Sequence, residues 1–252
     1  LEASYYSLRR PKRSLMNVVV LVDIIKETKA NWRFIFEDPL ADKINMISGM
    51  LVQLCAKPGE PDSVIRNYSV ASWQDGTNRF ELIITNLEGG AMCDYLFKEA
   101  KIGDEFVYRG PMGVFTLPDN LMERDIYMVS TGSGISPFRS MINDVFINRK
   151  QFKNIKLFFG TRNEEDIVYR NELEFIQHCL PGFEYIPTLS REKVPGIAEG
   201  YVHKHYLDLI DKLDHKPLVY YCGWDRMIRE GRDHLAERGF EMSKDIRVEI
   251  FG

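Results

Sequence analysis

Ile126–Met141 reads IYMVSTGSGISPFRSM, and its reading decides the fold. A short apolar run rich in strand formers gives way at Thr131 to Gly132, Ser133 and Gly134. A segment with helical spacing follows. The carboxyl end of a strand and the amino end of a helix therefore meet at the glycines. Open α/β sheets bind their ligands at such junctions. Glycine lets the backbone approach a phosphate closely, and free N–H groups at a helix start favour an anion. Pro137 suits the first helical turn, where its missing N–H costs nothing. It also occupies the third glycine position of G-x-G-x-x-G, so the dinucleotide fingerprint is incomplete. The residues alone leave two readings open, an anion-binding loop and a tight strand-to-helix turn.

Downstream the same alternation repeats. IKLFFGT precedes YRNELEFIQHCL, FEYIPTLS precedes YVHKHYLDLIDKL, and PLVYYCG precedes RMIREGRDHLAERG. The chain closes with DIRVEIFG. Alternating β and α units predict a parallel sheet covered by helices on both faces. Upstream the period changes. NVVVLVDII, WRFIFED, MLVQLCA, RNYSVAS, RFELIIT and DEFVYRG read as short strands separated by turn signals. One helix, AMCDYLFKEA, interrupts them, with Met92, Leu96 and Phe97 as an apolar stripe. Many short strands with one helix predict a small antiparallel β-barrel. The expected division is a loosely held arm over 1–15, a barrel over 16–120 and an α/β domain over 121–252.

The chain has 252 residues, 44% hydrophobic and 28% charged, which suits a soluble globular protein of one large or two medium domains. Its 33 Lys+Arg against 37 Asp+Glu give a net charge of -4, which argues against a dominant nucleic-acid surface. Cys55, Cys93, Cys179 and Cys222 are too scattered for a metal site and too few for a disulfide framework. A reducing, cytoplasmic setting is expected. No apolar run approaches the ~20 residues of a membrane helix, and the histidines show no ligand spacing, so no metal is expected. Arg9, Arg10, Lys12 and Arg13 make the first stretch basic, either as a loose terminus or as an arm that docks an acidic partner.

The order of two motifs narrows the function. Arg66, Tyr68 and Ser69 form R-x-Y-S in a barrel-like half, and TGSGISPF opens the α/β half. Together they resemble the ferredoxin–NADP reductase superfamily over nearly the whole chain. The resemblance implies a flavin in the barrel, FAD rather than FMN. It puts Arg66 on the pyrophosphate, Tyr68 against the isoalloxazine or ribityl chain, and the Ser69 hydroxyl at the flavin N5. These residue types suit those tasks: a forked cation for phosphate, a flat apolar ring, and a hydroxyl that donates or accepts. GGAMC resembles the second phosphate element, with Gly90, Ala91 and Met92 matching and Cys93 standing in place of serine.

In the second half the resemblance assigns Thr131, Gly132 and Gly134 to the nicotinamide dinucleotide. YCGWDRM resembles the C-G-x-x-x-M element, with Cys222 beside the nicotinamide, Gly223 leaving room and Met227 packing on the helix. Trp224 stands where the family often has proline. Ser190 and Arg191 in LSREK resemble the element that reads a 2′-phosphate, and Arg162 and Tyr201 are expected nearby; NADPH is favoured over NADH. In the last strand Glu249 is expected at the nicotinamide and flavin edge, and Phe251 over a flavin face. Ser69, Cys222 and Glu249 form the expected catalytic set. The implied function is electron transfer between NADPH and a one-electron carrier such as ferredoxin or flavodoxin. The alternatives are the reductase component of an oxygenase or haem-reducing system and, in another class, a non-catalytic flavin-binding regulatory module.

Overall fold

The structure, a computed structural model, describes residues 16–251, with the Phe251 side chain outside that description. The basic residues Arg9–Arg13 also lie outside it. The first six strands are β1 (Asn17–Lys26), β2 (Asn31–Glu37), β3 (Leu51–Ala56), β4 (Val64–Ser69), β5 (Arg79–Thr85) and β6 (Glu105–Met112). They form one antiparallel sheet in the order β4-β3-β6-β1-β2-β5. Alternate residues point inward, so Val19, Leu21, Phe34, Phe36, Val52, Leu54, Phe80, Leu82 and Phe106 share one core.

The sheet curls until its two edges nearly meet. The RNYSVAS strand was expected to run through Ser72, but it ends at Ser69. Residues 70–72 leave it to cross toward β5. There the Ala71 N–H donates to the Glu81 C=O at 2.8 Å, and the Glu81 N–H donates to Ser72 Oγ at 3.0 Å.

The expected helix over 91–100 is α1 (Ala91–Asp94) followed by a wider π-helical turn, Tyr95–Glu99. The Ala100 N–H reaches back to the Tyr95 C=O at 2.9 Å. The wider turn buries Leu96 and also packs Phe97 on Trp32, with ring centroids 4.7 Å apart. Regular periodicity carries no signal for such an inserted residue.

The remaining strands are β7 (Ile126–Thr131), β8 (Ile155–Thr161), β9 (Phe183–Leu189), β10 (Ala198–Glu199), β11 (Leu218–Trp224) and β12 (Ile246–Phe251). They form a parallel sheet in the order β10-β9-β8-β7-β11-β12. Helices α2 (Ser136–Ile147) and α3 (Arg170–Cys179) cover one face; α4 (Val202–Ile210) and α5 (Asp225–Glu237) cover the other. A short α6 (Met242–Asp245) leads into β12. Within β7, Ile126 and Met128 face the first helical layer, while Tyr127 and Val129 face the second. The chain runs outward from β7 in one direction and returns on its other side as β11. The carboxyl ends of β7 and β11 thus form the point where strand order reverses, the crevice such sheets use for ligands.

Candidate functional site

A cavity of about 640 Å³ opens between the barrel and the carboxyl edge of the parallel sheet. One wall comes from β4, where Arg66, Tyr68 and Ser69 all line it. β4 is an edge strand of its sheet, which frees its outer side to face the cavity. Ile83, Ile84 and Thr85 of β5 add a mostly apolar wall, and Gly90, Met92 and Cys93 come from the start of α1. The opposite wall holds Thr131, Ser133, Ser136, Gly223, Trp224 and Glu249.

The two walls are bonded to each other. Ser69 Oγ donates to Glu249 Oε1 at 2.6 Å, joining residues 180 apart in sequence. Burial pushes the Glu249 carboxyl up, and the Ser69 bond opposes that shift. The second oxygen, Oε2, is buried with no partner among the described residues. A buried acceptor left open in this way favours a ligand that brings a donor, or a carboxyl that keeps its proton.

The glycine loop forms a short 3-10 turn over Gly132–Ile135 before α2. A Cβ on Gly134 would lie 2.3 Å from the Cys222 carbonyl oxygen, so the turn sits directly on β11. Gly223 has φ +138, and a Cβ there would meet Thr131 Oγ1 at 2.6 Å. That same Thr131 oxygen accepts the Trp224 N–H at 3.3 Å. Close backbone approach at β7, β11 and the turn makes the cradle, and it requires glycine at both positions.

Cys222 is fully buried behind Gly223, and it is in the core rather than on the cavity wall. Burial pushes its thiol well up, with the Glu249 carboxylate adding to the effect. Such a thiol stays protonated, and packing is what it contributes in this structure. Met227 is likewise a core residue of the second helical layer, beside Ile228. Ala91 and Gly132 stand next to the cavity in the chain without lining it. Phe251 pairs in register with Trp224 at the backbone.

Arg66 is exposed at the cavity edge, and its guanidinium bonds the Ile65 C=O at 2.7 Å. Its remaining donors have no protein partner among the described residues. Tyr68 is half-buried beside Met92 and Cys93; burial raises its phenol, with a smaller contribution from Cys93 and an opposing one from Arg66. The Cys93 thiol donates to the Thr85 C=O at 3.5 Å. The first helical bond of α1 is from the Asp94 N–H to the Gly90 C=O at 2.8 Å, which leaves the N–H groups of Ala91, Met92 and Cys93 unused by the helix. An apolar slot with a free arginine at one end and free N–H groups at the other suits a ring system carrying phosphates. On this donor set the flavin fits.

A second group lies further along the carboxyl edge of the sheet. Arg162 follows β8, Ser190 and Arg191 follow β9, and the Arg191 N–H donates to the Arg162 C=O at 3.0 Å. The Gly200 N–H bonds the Leu189 C=O at 2.8 Å, which brings the chain just before the exposed Tyr201 back to the end of β9. Both guanidinium groups are exposed and, among the described residues, unpaired.

Residues 19–117 match the family described as oxidoreductase FAD-binding domain, and residues 128–233 match the oxidoreductase NAD-binding domain. Ferredoxin–NADP reductase B of Sorangium cellulosum is 37% identical over 171 residues, 66% of this chain and 69% of that protein. The chain belongs to the ferredoxin–NADP reductase superfamily. The electron transfer component of 2-halobenzoate 1,2-dioxygenase from Burkholderia cepacia is another relative of this superfamily member. It is 27% identical over 218 residues, 86% of this chain, which spans 62% of that relative's length. The crystal structure of a ferredoxin NADP+ reductase from Neisseria gonorrhoeae with bound FAD and NADP superposes with a TM-score of 0.81. It covers 94% of this chain and 99% of its own at 19% identity, which shows the shared fold. As a superfamily member the protein is a flavin-dependent oxidoreductase that uses NAD(P)H.

The sequence motifs single out Ser69, Glu249, Thr131 and Gly223, which share the cavity. Ser133, Ser136, Thr85 and the rim of Trp224 and Ile250 escape that reading. Of these, only Trp224 carried a signal, as the bulky residue in place of a proline. Among the described residues no cluster could hold a metal, and no helix is long and apolar enough to cross a membrane.

Proposed function

We propose that this protein transfers electrons between NADPH and a separate one-electron carrier, a ferredoxin or flavodoxin, through FAD held in the barrel. The observation that carries the coenzyme choice is the pair of free cations, Arg162 and Arg191, backed by the Ser190 hydroxyl and the Tyr201 ring. An anionic 2′-phosphate satisfies such a pair, and a neutral 2′-hydroxyl does not. The four cysteines are unpaired and scattered, so residues 1–252 offer no plant-type iron–sulfur cysteine run of their own, and a reducing cytoplasm is the expected setting.

A bound flavin supplies a hydride acceptor that releases electrons singly. The chain's own residues bind, orient and seal. Arg66 would hold phosphate, Tyr68 and the apolar wall of β5 would line the slot for the ring, and the N–H groups at Ala91–Cys93 would take the second phosphate. Ser69 offers a hydroxyl to the ring and holds Glu249, whose carboxyl burial pushes up. Gly223 and Gly134 keep the floor low so that the nicotinamide approaches the ring. The reductase component of an oxygenase is the second reading, favoured by the relative from Burkholderia cepacia.

Arg191→Ala is expected to lower kcat/KM for NADPH by about 10- to 100-fold, the value of one charge-assisted contact. The NADH value should change little. Anaerobic bleaching of the yellow protein by each coenzyme measures both. An equal response to the two coenzymes, or a native preference for NADH, would defeat the assignment. Reoxidation by ferredoxin, flavodoxin and a haem protein in turn then identifies the acceptor class.

A further inference from the structure

Behind the cavity the two domains meet in a buried charge network outside the residues assigned above. Glu81 of β5 and Arg139 of α2 are 7% and 5% exposed. Arg139 Nη1 donates to Glu81 Oε1 at 3.1 Å and to the Ala71 C=O at 3.1 Å. Its Nε and Nη2 hold both oxygens of Glu172 at 2.9 and 2.8 Å. Tyr169 Oη donates to Glu81 Oε1 at 2.6 Å, while Arg33 Nε and Nη2 take Oε1 and Oε2 at 2.8 and 2.7 Å. The Arg139 guanidinium lies 4.3 Å from the centroid of the Tyr169 ring. Beside it Ser140 Oγ donates to the Ser72 C=O at 2.6 Å, and the Tyr169 N–H donates to Glu27 Oε1 at 2.8 Å.

The placement matters more than the number of bonds. Ala71 and Ser72 lie two and three residues after Ser69, and Ser136 on the cavity wall is one helical turn before Arg139. Ile83, two residues beyond Glu81, also lines the cavity. The network thus ties the chain just after the Ser69 wall to the helix that opens at the glycine loop. Two packed apolar surfaces slide with little penalty. A planar fork held by three separate acceptors does not. A buried pair of this kind contributes less to net stability than to a single geometry, because desolvation offsets most of its attraction.

We propose that Arg139 and Glu81 are positioning residues that fix the distance between the flavin wall and the glycine loop, and so the rate of hydride transfer. The proposal rests on the flavoenzyme reading above. A misplacement of about 1 Å costs on the order of 100-fold in such a step.

The test uses Arg139→Lys, which keeps the charge and loses the fork, and the double variant Arg139→Met with Glu81→Met, which removes both charges of the pair and also takes a partner from Arg33, Tyr169 and Glu172. In flavin-loaded protein, single-turnover reduction at saturating NADPH should fall about 100-fold in the double variant, with coenzyme affinity little changed. Coenzyme deuterated at the nicotinamide C4 should slow that step further, showing that hydride transfer is what is read. Arg139→Lys should fall between the double variant and the native protein. In the apoprotein, calorimetry should show one unfolding transition for the native chain and two for the double variant, as the domains uncouple.

Folded, loaded variants that reduce at the native rate would overturn the positioning role. So would a loss confined to the melting temperature within a single transition. Native protein that neither coenzyme reduces would overturn the flavoenzyme reading and the positioning role together. That outcome is visible before any variant is made.

Discussion

Gly134→Ala is expected to destabilise the protein by about 3 kcal/mol, the upper end of what overpacking costs. The added Cβ would lie 2.3 Å from the Cys222 carbonyl oxygen and 2.6 Å from Gly223 Cα. Both are backbone atoms of a strand paired on each side, β11 between β7 and β12, so neither yields cheaply. The 3-10 turn must lift instead, and it carries Ser133 and the start of α2 with it. Coenzyme binding should therefore fall together with stability. For a chain of this size the melting temperature drops by roughly 10 °C. Thermal unfolding with and without NADPH measures both losses. A variant that melts within a degree or two of the native protein and binds coenzyme normally would mean that the turn does not rest on β11 as described.

The second large effect separates two neighbours on β4. Arg66→Ala should weaken flavin retention by about 10- to 100-fold, because a charge-assisted phosphate contact is worth about 1.5–3 kcal/mol. Flavin that remains bound should still be reduced at close to the native rate. Ser69→Ala should do the reverse, with flavin retained and reduction slowed by about 10-fold or more. It also frees Glu249 Oε1, whose bond to Ser69 opposes the upward push of burial. Without that bond the Glu249 carboxyl rises further, and any pH dependence of reduction that it controls moves to higher pH. Flavin release by dialysis and a pH series of single-turnover rates distinguish the two variants. The same loss in both would show that Arg66 and Ser69 do not divide the work in this way.

Much of this architecture is legible in the residues. Apart from the two-residue β10, the strands of both sheets follow apolar alternation or short apolar runs, and the glycine turn is marked by TGSG with Pro137 three residues on. Of the residues taken from motifs, Arg66, Tyr68, Ser69, Gly90, Met92, Cys93, Thr131, Gly223 and Glu249 line one cavity, because β4, β5, the start of α1 and the ends of β7, β11 and β12 converge there. Two things were hidden. The π-helical turn after Asp94 depends on aromatic packing against Trp32 and Phe34, which local spacing does not report. The network of Glu81, Arg139 and Glu172 depends on contacts 58 and 33 residues apart in sequence. Its only local sign was a charge in unusual company, Glu81 within RFELIIT and Arg139 within an otherwise buried helix face. Cys222 is buried in the core one residue before Gly223, which lines the cavity, and its spacing in the motif does not report that burial.

The burial of Arg139 and Glu81 has a consequence for ionic strength. At physiological salt the Debye length is about 8 Å, and mobile ions screen exposed charges while scarcely reaching a pair shut away from water. The exposed Arg162, Arg191 and Arg66 meet the solvent directly, and so does any charged carrier that docks from outside. Added salt should therefore weaken coenzyme capture and carrier encounter while leaving the internal hydride step at its low-salt rate. A salt titration thus separates what the protein does within itself from what it does with its partners.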